Sequence, residues 1–183
     1  MLIPNKTRFA IWIIMIITGW ILGYYISTWI SLPCSSLCIV AGIALIAVIL
    51  RASAVTGRYL AVYGKASSNA GFGEFTKLVR EGPYSCMRHP MHLFLSLLPI
   101  TVGLVSLNPE MAYITGPILA VLILLMAVKI DEKESIERFG SEYQKYKMEV
   151  PAFNLSPTCI AKTLLHRPPR RNQLRSTQRN TKQ

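Results

Sequence analysis

Charge is what this sequence has least of. Asp, Glu, Lys and Arg together make up 16% of its 183 residues, against about 25% in ordinary soluble domains. No charged residue occurs from Phe9 to Leu50, a run of 42, and only Glu110 interrupts the stretch from Met91 to Val128. One bilayer crossing takes about 20 apolar residues, so these gaps exclude an ordinary soluble domain. The 51% hydrophobic content excludes an intrinsically disordered chain. The length leaves no room for a large extramembrane domain beside the spans. Acidic residues are scarcer than basic ones, 9 against 20, for a net charge of +11. Cysteines number four. No histidine stands at metal-ligand spacing from a cysteine pair, so no metal is expected. Cys34 and Cys38, one helical turn apart, and Cys86 and Cys159 on the opposite side read as small apolar filler, not as a disulfide framework.

The first apolar stretch is long enough for two crossings. It breaks at Ser31-Leu32-Pro33-Cys34-Ser35-Ser36, where proline ends a helix and serines suit a turn. Spans are expected at about Phe9–Ile30 and Leu37–Leu50. The first has an apolar part longer than a signal peptide's core, and a second span comes directly after it, so it reads as a retained anchor. The second stretch divides at Leu107-Asn108-Pro109-Glu110, giving spans of about Met91–Ser106 and Met111–Val128, with Pro99 and Pro117 inside them as potential kinks. A loop is expected over residues 51–77. In this four-span reading all 20 basic residues fall on one side. The positive-inside rule then puts both termini in the cytoplasm. The fold class expected is an all-α, multi-pass integral membrane protein: about four transmembrane helices plus a cytoplasmic amphipathic C-terminal helix.

That last helix is read from Lys129 to Val150. Glu134 and Arg138 form an i,i+4 pair. Gly140 stops the helix, and Ser141-Glu142-Tyr143-Gln144 fits a capping box that restarts it. Phe139, Tyr143 and Tyr146 recur at helical spacing, as in a segment resting on the membrane interface. Residues 1–158 are expected to form one membrane-embedded domain and 159–183 a basic, disordered tail. The tail has no aromatic interleaving and no nucleic-acid module, so contact with anionic lipid or plain solubility, not nucleic-acid binding, is expected of it.

Chemistry is expected where the third span begins. Gly82-Pro83 is a turn signal, Pro90 disfavours helical backbone at His89, and proline suits the first helical position. The first turn, with Met91 and His92, then offers backbone N–H groups and positive dipole potential to an anion such as a carboxylate. Arg88 stands beside it. Asp131 and Glu132 stand just past the fourth span. If the third and fourth spans form a hairpin, the two ends enclose one pocket suited to a zwitterion or a cation.

Over Leu78–Phe153 the sequence resembles the isoprenylcysteine carboxyl methyltransferase family, which is related to membrane phospholipid N-methyltransferases. The residues that carry the resemblance are Leu78-Val79, Gly82, Tyr84, Arg88-His89-Pro90, Asp131-Glu132, Phe139-Gly140, Tyr143, Tyr146 and Val150-Pro151. Gly57-Arg58-Tyr59-Leu60 and Tyr63-Gly64 are compatible with the family's preceding loop. The resemblance implies transfer of a methyl group from S-adenosylmethionine to a lipid or prenylated acceptor. It implies cofactor contacts from Leu78, Val79, Tyr84, His89, Pro90, Met91, His92, Asp131 and Glu132, and catalytic roles for Arg88 and Glu132. The acceptor it implies is an isoprenylcysteine carboxylate; an amino-lipid is the alternative, and a non-catalytic scaffold the reading from another class. Ala127 stands where prenylcysteine-methylating members carry a basic residue.

Overall fold

The computed structural model describes residues 5–64 and 75–166, and among these it is all helical. Four apolar segments alternate in direction. Helix α1 (Asn5–Ile26) is followed by α2 (Ser36–Tyr59), which runs on as a π turn over Leu60–Gly64. The third segment is α3 (Pro90–Leu95) and α4 (Leu98–Val105). The fourth starts with a π turn at Met111–Thr115, continues as α5 (Gly116–Met126), passes a second π turn at Ala127–Asp131 and ends as α6 (Glu132–Phe139). Helices α7 (Ser141–Glu149) and α8 (Pro157–Leu165) complete the described chain.

Among the described residues, three helices are long and apolar enough to cross a membrane: Thr7–Ile26, Ser36–Gly64 and Met111–Phe139. The protein is an integral membrane protein. The second helix runs well beyond the expected end at Leu50, so residues 51–64 of the expected loop are helix, and residues 65–74 of it lie outside the described residues. The third segment is shorter than a crossing helix. Pro90–Val105 rises about 24 Å at 1.5 Å per residue, less than the roughly 30 Å hydrocarbon core. It is also interrupted between Leu95 and Leu98, just before Pro99, which has no N–H to continue the ladder. Pro117 comes just after the first π turn, where Gly116 N–H reaches back to the Met111 carbonyl.

The expected turns hold the far end of the bundle. The Leu32 N–H donates to the buried Glu110 carboxylate at 3.0 Å. Asn108 receives the Met111 N–H at 3.0 Å and donates to the Trp20 carbonyl at 3.1 Å. Large apolar side chains of α1, α2 and α5, such as Ile14, Ile43 and Val121, stay exposed on the outside, as suits a lipid-facing surface. At the other end a buried cluster of Val55, Tyr59, Val79 and Tyr84 packs α2 against the segment before α3.

The fold departs from several expectations. Tyr143 and Tyr146 are buried in the protein and not turned outward. The amphipathic face of α7 packs inward because Val150–Ala152 pairs with the start of α3: Arg88 and His89 N–H groups donate to the Pro151 and Ala152 carbonyls at 3.0 and 3.1 Å. The capping box does not form. Gly140, at φ 57°, is itself the N-cap of α7, with no side-chain hydrogen bond. All four cysteines are paired, Cys34 with Cys38 and Cys86 with Cys159, each at Cα–Cα 5.9 Å. The first pair joins the residue before the N-cap of α2 to its first turn. The second is a product of tertiary packing, since 73 residues separate its members. Helix α8 packs on α2 and on the 3₁₀ turn Gly82–Ser85, with Cys159 and Thr163 buried. The folded part therefore continues past the expected boundary at 158, through Leu165. Residues 167–183 of the expected tail lie outside the described residues.

Gly82 sets the angle of that 3₁₀ turn. Its φ is +60°, and a Cβ there would stand 2.3 Å from the Tyr59 ring. Gly82→Ala should therefore lower stability by about 1–3 kcal/mol. Thermal unfolding of the detergent-solubilised protein would show this as a lowered midpoint, whereas Gly140→Ala, with open space around the Cβ, should be strained only by its backbone angle and cost less.

Candidate functional site

The site is assembled where the third apolar segment starts and the fourth leaves the bundle. Pro90 takes the first position of α3, and His89, its N-cap, has φ −121°. This is the hinge that the Arg88-His89-Pro90 sequence demands. Opposite it, the π turn Ala127–Asp131 adds one residue to the helix, and Glu132 N–H reaches back to the Ala127 carbonyl. The extra residue rotates the next helical turn relative to a continuous α-helix. Asp131 then faces a cavity while Glu132 points into the protein.

Glu132 is 1% exposed and ties three elements together. Its Oε1 accepts from Arg88 Nε at 2.9 Å and Nη2 at 2.5 Å, and from His89 Nε2 at 3.2 Å. Its Oε2 faces Lys147 Nζ of α7 at 2.8 Å. The remaining Arg88 nitrogen donates to the carbonyls of Lys147, at 3.1 Å, and Val150. Arg88 is thus committed to protein partners, and Glu132 is not part of the cavity wall. Both act as anchors.

A cavity of about 630 Å³ opens beside these anchors. Leu78, Val79, Tyr84, Arg88, His89, Pro90, Met91, His92 and Asp131 all line it. The expected residues are therefore together, with Glu132 behind the wall. The sequence reading missed others that share the lining, among them Arg8, Phe9 and Trp12 of α1, Leu60, and Glu134, Tyr143 and Tyr146. Arg8 was visible only as a charge ahead of the first span. It pairs with Asp131 at 2.7 Å and with Glu134. Asp131 also faces His92 Nε2 at 2.9 Å. Glu134 holds Arg138 at 3.1 Å, as the i,i+4 spacing requires.

Burial sets the titration behaviour. It lowers the His89 pKa, and the Glu132 hydrogen bond opposes this only in part, so His89 is neutral with its Nε2–H on the carboxylate. Tyr143 is pushed up to about 12, first by burial and then by the Glu132 charge. Burial likewise raises Tyr84 and Tyr146. The Tyr146 hydroxyl donates to the Tyr84 carbonyl at 2.6 Å, joining α7 to the cavity wall.

The sequence pattern of the phospholipid methyltransferase family matches residues 30–142, more than half of the chain. The chain belongs to the phospholipid methyltransferase family. No curated protein and no solved structure matches it. The family segment contains the 3₁₀ turn, the Arg88-His89-Pro90 hinge and the Asp131-Glu132 pair. It excludes α1, so Arg8 and Trp12 are walls of the cavity contributed from outside it, as are Tyr143 and Tyr146 of α7.

Removing one member of a buried ion pair leaves the other charge uncompensated, at about 3–5 kcal/mol. Glu132→Ala should destabilise the protein by that order in chemical unfolding, and Arg88→Met combined with Glu132→Leu by clearly less. For His89, the unfolded state takes up a proton below its ordinary pKa of about 6.5, while the buried ring resists it. Stability should fall as pH drops through that value, and His89→Gln should flatten the slope of melting temperature against pH.

Proposed function

We propose that the protein transfers a methyl group from S-adenosylmethionine to a lipophilic acceptor at the cytoplasmic face of its membrane. The observation that carries this reading is the cavity itself. It lies between the start of α3 and the end of the fourth segment, in a chain of a methyltransferase family. Its volume, about 630 Å³, lies within the range of pockets that enclose cofactor-sized ligands. Its wall combines apolar and aromatic side chains with two carboxylates, Asp131 and Glu134. The one-sided distribution of basic residues supports cytoplasmic termini.

The residues fit the donor in kind. Leu78, Val79, Tyr84, Pro90 and Met91 offer apolar and aromatic surface, and His89 a neutral ring. The N–H groups at the start of α3, in Met91 and His92, suit a carboxylate. Asp131 and Glu134 suit an ammonium or a sulfonium. When bound, S-adenosylmethionine supplies an electrophilic methyl group on a positively charged sulfur. The chain's own work is to align the acceptor and keep water out. Arg88 and Glu132 serve as positioning residues, holding His89 and the α3 start against α7.

The acceptor is the finer question. An isoprenylcysteine carboxylate, as the resemblance suggests, would want a cation in the wall. Ala127 is fully buried there, and Lys129 lines a separate apolar groove between α1 and α5. The cavity's arginines, Arg8, Arg88 and Arg138, are already paired. Lys77 also lines the wall, while Asp131 and Glu134 are engaged by those arginines and by His92. An amine-bearing lipid is the acceptor that a phospholipid methyltransferase family suggests.

Calorimetry of the purified protein with S-adenosylhomocysteine tests the donor site. Micromolar binding is expected, and His89→Ala should weaken it at least about tenfold, the loss of one well-placed contact. Absence of binding at millimolar ligand would overturn the proposal.

A further inference from the structure

We propose that His92, oriented by Asp131 and Arg8, is a general base that removes a proton from the ammonium group of a lipid acceptor. The inference rests on the methyltransferase reading above and names the acceptor class as an amine.

The geometry is that of an oriented imidazole. His92 lines the cavity and its side chain is 26% exposed. Its Nε2 lies 2.9 Å from Asp131 Oδ2. A carboxylate beside Nε2 favours the tautomer with its hydrogen there, which leaves Nδ1 with the lone pair. Among the described residues Nδ1 has no hydrogen-bond partner. The other Asp131 oxygen accepts from Arg8 Nη1 at 2.7 Å, which fixes the carboxylate. Trp12 of α1 packs on the imidazole edge to face at 5.6 Å, and the His89 ring also meets it edge to face at 5.6 Å. The ring is thereby held in one orientation. The charged groups around it are Asp131 from the π turn, Arg8 from α1 behind Asp131, and Glu134 from α6 behind Arg8; neutral His89 is the other titratable neighbour.

Chemistry gives such a group a task. A headgroup amine is an ammonium at neutral pH and has no electron pair with which to attack. A carboxylate acceptor needs no base at all. His92 Nδ1 takes one proton from the ammonium, and the freed nitrogen lone pair forms the new N–C bond. The S–C bond of the donor breaks, and its electron pair stays on sulfur as a neutral thioether. The methylated amine leaves as a cation, and the imidazolium, stabilised by Asp131, returns its proton to water. A base with a pKa near neutrality suits this step.

The experiment uses the full chain in phosphatidylcholine vesicles carrying phosphatidylethanolamine. It measures kcat from about pH 6 to about pH 9, together with S-adenosylhomocysteine binding. His92→Gln should lower kcat at neutral pH about 100-fold, recover part of it at high pH, and weaken S-adenosylhomocysteine binding far less than it lowers kcat, since the His92 backbone N–H that suits the donor carboxylate is kept. Asp131→Asn, which reverses the tautomer preference, should lose kcat with the same change in the pH profile. Unaltered kcat and pH profile in both variants would overturn the proposal. So would loss of S-adenosylhomocysteine binding in His92→Gln, which would make His92 a donor contact. Wild-type transfer only to a prenylcysteine carboxylate would overturn the base while leaving the methyltransferase reading intact. Neither binding nor transfer in the wild type would overturn both.

Discussion

The buried ion pair between Arg88 and Glu132 is the constraint on which the site depends. Two charges taken out of water are tolerated only where each finds close partners. Here the carboxylate has Arg88, His89 and Lys147, and the guanidinium has Glu132 and two carbonyls of the chain around Val150. Together they draw the hinge before α3, the end of the fourth segment and α7 to one point. The cavity is the space left beside that point. An apolar staple would hold the helices together with less directional control over the hinge.

The π turn at Ala127–Asp131 separates the roles of two adjacent acidic residues. Asp131 goes to the cavity, where Arg8 and His92 meet it, and Glu132 goes to the interior. Helix α1 then closes the side of the cavity that the family segment leaves open. Its middle is clamped to the fourth segment by the Thr115 hydroxyl on the Gly19 carbonyl at 2.9 Å. At Gly23, a Cβ would stand 2.8 Å from Met111 N, so only glycine permits that approach. Arg8 and Trp12 are carried to the site by this packing.

Much of this was legible in the sequence. Charge-free stretches gave the apolar segments and their turns. Pro90 after His89 gave the hinge, and the paired acids past the last apolar turn gave the opposing wall. What was illegible depends on tertiary contact or on local backbone irregularity. Nothing in the run Met126-Ala127-Val128-Lys129 announces a π turn, so both Asp131 and Glu132 were expected to face the pocket. Tyr143 and Tyr146 have the spacing of an interfacial helix, and only the pairing of Pro151 and Ala152 with the hinge turns them inward. Cys86 and Cys159 are joined by the docking of α8, and Lys147 reaches Glu132 from the same helix that reads as an interfacial segment.

The central claim is that this cavity is where a methyl group passes from a sulfonium donor to a membrane lipid. Incubating membranes that contain the protein with S-adenosylmethionine labelled in its methyl group, then separating the lipids, tests it most directly. The account predicts label in an amine-bearing lipid, and much less of it from membranes carrying a folded variant with His92 replaced. Lipids that remain unlabelled, with the folded protein present and donor in excess, would contradict it.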